Sequence, residues 1–69
     1  MDEKWVLIYT SSQLYKIELI SGMLFENDIE SFIINKQDSA YLIGEIELHV
    51  NIDDILKAKQ LISKFNQSE

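Results

Sequence analysis

The chain has 69 residues, 46% of them hydrophobic, with no cysteine and no proline. Its 12 acidic side chains outnumber 6 basic ones, all lysine, for a net charge of −6. A disulfide framework and thiolate zinc are therefore excluded, and a nucleic-acid partner is disfavoured, because phosphate must be neutralised and base readout leans on arginine.

A chain this short forms a single domain, 1–69, and buries only about 60% of the surface its unfolded form exposes. With disulfides gone, a partner subunit is the usual remaining way to complete such a core, so self-association is expected on size alone. The acidic start Met1-Asp2-Glu3-Lys4 leads into an apolar stretch too short for a signal peptide or a membrane span. The expected compartment is the cytoplasm, without membrane contact.

Residues 5–9, WVLIY, form a short apolar run of aromatic and β-branched side chains and read as a strand. Thr10, Ser11 and Ser12 then offer N-cap hydroxyls, with the cap expected at Ser11 or Ser12. From there to about Glu26 the pattern is helical, with Ile17, Ile20 and Leu24 as the buried stripe. Leu14, Leu19, Met23 and Phe25 lie off that stripe, which implies a second neighbour for this helix. Asn27-Asp28 ends it, because both side chains tolerate left-handed backbone.

A second strand is expected over 29–35, IESFIIN, and a polar loop over 36–43. From Gly44 to Val50 charge and apolar residues alternate: Ile46, Leu48 and Val50 face in, and Glu45, Glu47 and His49 face out. Asn51, with Asp54 three residues on, opens a second helix as a capping box does. Ile55, Ala58, Ile62 and Phe65 form its inner face, with Leu61 beside them. The ordered core is expected over about 4–65, with 66–69 frayed.

The order β-α-β-β-α, with a right-handed crossover through the first helix, makes strands one and two parallel with a gap between them. The third strand fills that gap, antiparallel to both. The expected fold is α+β: a ferredoxin-like, split β-α-β sandwich lacking its final strand. Its three-stranded sheet has order 2-3-1, with two helices on one face.

Residues YTSSQLYKIELISGMLFENDIESFIIN and GEIELHVNIDDILKAKQLI resemble a small bacterial family labelled as a prokaryotic signal-transducing protein. That family is a domain of unknown function compared with PII-type nitrogen-signalling proteins. Glu18, Leu19, Ile20, Leu24, Ile29, Ile33, Asn35, Gly44, Leu48, Val50, Asp53, Asp54 and Ala58 fit its pattern. Asp28 departs from it, standing where the family usually has glycine, so Asn27 or Asp28 must take a positive φ. The resemblance implies a PII-like fold and no established activity, and it carries over no catalytic residue.

Three candidate sites have simpler structural explanations. Glu47 and His49 share a strand face, but one histidine without cysteine is a poor start for a metal shell. Asp53-Asp54 matches a helix dipole, and the Thr10–Ser12 hydroxyls serve as caps before they serve as an anion site. With no glycine-rich phosphate loop and no nucleophile–base order, no enzyme and no cofactor are expected.

The aromatic set is a stronger signal. If Val6 and Ile8 face the helices, then Trp5, Leu7 and Tyr9 emerge on the open sheet face, joined by Phe32 and Ile34. Apolar patches of this kind mark contact surfaces. WVLIY also forms a sheet edge with no charge, proline or bulge expected within it, so strand-one edges are expected to pair across a symmetry axis. The expected function is a non-catalytic interaction or regulatory module, a homo-oligomer or the binder of a protein partner. The alternative is a PII-like sensor of a metabolite or nucleotide.

Overall fold

Apolar and β-branched residues at the start of the chain form β1, Trp5–Ser11, which leads into helix α1, Leu14–Glu26. Strands β2, Ser31–Asn35, and β3, Ile46–Asn51, follow, then a 3₁₀ turn over Ile52–Asp54 and helix α2, Ile55–Ser68. This computed structural model describes residues 4–37 and 44–68. Met1–Glu3 and most of the loop expected over 36–43 lie outside the described residues. The sheet order is β1-β3-β2, with β3 antiparallel to both neighbours. Among the described residues no helix is long and apolar enough to cross a membrane.

The alternation in β3 does what its pattern requires. Ile46, Leu48 and Val50 are fully buried, and Ile17, Ile20 and Leu24 of α1 pack on them together with Ala58 and Ile62 of α2. Burying a Leu or Ile side chain contributes about 1.5–3 kcal/mol, so this single cluster carries the fold. Ser21 and Ser31 tie α1 to β2 through a 2.6 Å hydroxyl contact.

β1 does not alternate cleanly. Leu7 pairs with His49 but Tyr9 pairs with Leu48, so Ile8 is the extra residue of a β-bulge. Two sequence expectations change as a result. Tyr9 does not lie on the open face: it stands opposite the inward Leu48 and packs, like Ile8, against the core cluster. The β1 edge is also guarded after all, since a bulge disrupts the ladder that an incoming strand would extend. Thr10 takes the open-face position opposite Glu47.

Boundaries shift for local reasons. The N-cap of α1 is Gln13, not Ser11 or Ser12; Ser11 Oγ instead accepts from the Gln13 N–H at 3.0 Å, just ahead of the helix. β2 starts at Ser31 rather than residue 29, because Ile29 closes α1. The Ile29 N–H reaches the Leu24 carbonyl at 2.9 Å and the Asp28 N–H reaches that of Phe25 at 3.0 Å, a Schellman end. Asp28 holds the left-handed position at φ 64°. Asn51 Oδ1 accepts from the Asp53 N–H at 3.0 Å and so caps the 3₁₀ turn that precedes α2. α2 extends to Ser68, beyond Phe65, which packs against the core.

Asp28→Gly is therefore expected to raise stability by about 1 kcal/mol, because glycine adopts φ > 0 without the steric cost of a Cβ. Urea denaturation checks this. An unchanged midpoint would mean that the Asp28 turn carries no strain.

Candidate contact surface on the open sheet face

β3 is the central strand, so its outward residues form the floor of the face that the helices leave open. Cross-strand partners share a face, and the register sets Leu7 and Phe32 on either side of His49, Ile34 and Thr10 on either side of Glu47, and Trp5 opposite Asn51. Of the five residues expected on this face, the structure brings Trp5, Leu7, Phe32 and Ile34 together and removes Tyr9. Trp5, Leu7 and Phe32 remain 36%, 47% and 51% exposed. The Trp5 and Phe32 rings approach to 6.0 Å between centroids at a tilt of 38°, within the favourable range for aromatic pairs.

The polar groups of the face form a short chain. Lys36 Nζ lies 3.3 Å from Glu47 Oε2, and Glu47 Oε1 lies 3.7 Å from His49 Nε2. The Glu47 and His49 side chains, expected to be solvated, are instead only 20% and 15% exposed. His49 Nδ1 is buried with no hydrogen-bond partner. Among the described residues no three His, Cys, Asp or Glu side chains gather as a metal shell. Asp53 and Asp54 serve the helix start and share a surface cleft with Trp5, Asp28 and Glu30, away from the Glu47–His49 contact.

An unpaired buried nitrogen costs about 1–3 kcal/mol. His49→Phe removes it and adds a ring beside Phe32, so this variant is expected to be more stable by about 1 kcal/mol in a urea melt. A loss of stability would show that the imidazole makes a bond the fold depends on.

Sequence reasoning missed a second apolar feature. Ile33 points to the helix side opposite Leu48 yet is 37% exposed, because it stands on the outer edge of the sheet. Together with Ser21, Gly22 and Phe25 of α1 it lines an open groove of about 510 Å³ along β2. Its signal in the sequence was Phe25, an aromatic residue off the buried stripe of α1.

In comparisons with known proteins the chain matches no family model, and no curated protein or solved structure was found to be similar to it.

Proposed function

We propose that this chain is a small non-catalytic interaction module of bacterial regulatory type, acting in the cytoplasm and self-associating through its sheet. The observation that carries this reading is the open face. Trp5, Leu7 and Phe32 form an exposed aromatic and aliphatic surface on the two flanking strands, either side of the half-buried charge on β3. Apolar patches with polar groups among them are the usual form of a contact surface. The ferredoxin-like, PII-like arrangement belongs to the same proposal. Its support is a β3 strand antiparallel to both neighbours and a core between one sheet face and the two helices. The bulge at Ile8 argues against β1 as the pairing edge.

The test is sedimentation at micromolar concentrations alongside a thermal-shift screen. The wild type is expected to associate, and Phe32→Lys is expected to weaken association by about tenfold or more, as for the loss of an aromatic anchor. A clean monomer overturns self-association. Stabilisation by one metabolite or nucleotide, in a monomer, would move the reading to the PII-like sensor.

A further inference from the structure

We infer that β2 pairs with β2 of a second copy of this chain, antiparallel and centred on Ile33. The inference rests on the self-association reading above and names its geometry. β2 is the other sheet edge, and unlike β1 its register with β3 runs unbroken from Ser31 to Asn35. Within SFIIN there is no charge, no proline and no bulge, so the edge lacks the usual guards.

The backbone is correctly phased for such a pair. The Lys36 N–H donates to the Glu45 carbonyl at 3.3 Å, continuing the β2–β3 register, so the even-numbered residues of β2 turn their polar groups toward β3. The N–H and C=O groups of Ser31, Ile33 and Asn35 therefore point outward. A two-fold axis at Ile33 pairs Ile33 with its own copy and Ser31 with Asn35 of the other copy, which satisfies every one of those groups.

The side chains agree with the same axis. Phe32 meets Ile34 of the second copy on the open face, and Glu30 meets Lys36 at both ends. The segment ESFIINK is thus complementary to itself in charge as well as shape. No other centre within β2 sets both end charges against opposite ones. The edge of β1 has only Lys4 at one end and Ser12 at the other. On the helix side, the second Ile33 enters the groove beside Gly22 and Phe25, where the position of a Gly22 Cβ has nothing within 4 Å. The two open faces then join as one sheet in the order β1-β3-β2-β2-β3-β1.

Charge exchange tests the register. Glu30→Lys sets lysine against lysine at both ends and leaves the Lys36–Glu47 contact in place. At low salt it is expected to weaken self-association by about tenfold or more, since like charges opposite each other in a sheet repel. Lys36→Glu is expected to do the same, and an equimolar mixture of the two variants to restore the complex as a heterodimer. Amide exchange of the wild type gives a second reading that needs no variant: the Ile33 N–H is expected to be protected at high concentration and to exchange freely on dilution. A wild-type complex that Glu30→Lys leaves equally tight, or an Ile33 N–H that exchanges freely in the complex, overturns β2 pairing while self-association stands. A monomeric wild type overturns both.

Discussion

Leu48→Ala is expected to unfold the protein or to lower its stability by about 2–5 kcal/mol, as buried Leu→Ala changes do. Leu48 is fully buried on the central strand, and its neighbours on the flanking strands are Tyr9 and Ile33. Both helices pack on the cluster it belongs to, so the cavity left behind has rigid walls on the strand side and cannot collapse cheaply. A domain of this size has little stability in reserve. Chemical denaturation followed by circular dichroism measures the effect. A loss smaller than about 1 kcal/mol would contradict the burial of Leu48 beneath both helices.

Gly44→Ala is the second change with a large expected effect, a loss of roughly 1–3 kcal/mol from backbone strain. Gly44 enters β3 at φ 114°, a conformation that L side chains rarely adopt. A Cβ there would stand 2.8 Å from the Lys36 carbonyl oxygen and 3.4 Å from the Gln37 Cα, both backbone atoms that cannot rotate away. The β2–β3 connection closes at this point, and the Lys36–Glu45 hydrogen bond lies beside it. Denaturation midpoints of the two proteins decide the matter, and an alanine variant as stable as the wild type would show that the approach of the two chain segments is not close. The same variant is expected to loosen the β2 ladder next to the closure, which amide exchange at Lys36 would register.

The β3 alternation, the Ile17-Ile20-Leu24 stripe and the Ala58-Ile62 face were legible in the sequence, and the element order with a right-handed crossover was enough to derive the sheet order. In each case one face is apolar and the other polar, so periodicity alone selects the buried side. The turn at Asn27-Asp28 was legible for a similar reason, because few residues other than glycine accept φ > 0 and one of these two had to. Chain composition also determined that no disulfide could supply stability. That left the apolar core, with nine buried residues among those described, to do so.

Tertiary structure alone decided the facing of β1 and the character of the two sheet edges. WVLIY is apolar at every position, so no alternation specifies its register, and a one-residue bulge at Ile8 moves Tyr9 from one side of the sheet to the other at no cost in apolar pattern. The exposure of Ile33 was equally hidden. Its side chain faces inward as the pattern demands, but no helix extends over the outer edge of β2 to cover it. A period-two pattern reports which face of a sheet a side chain takes. How far the neighbouring elements reach across that face depends on the packing of the whole chain.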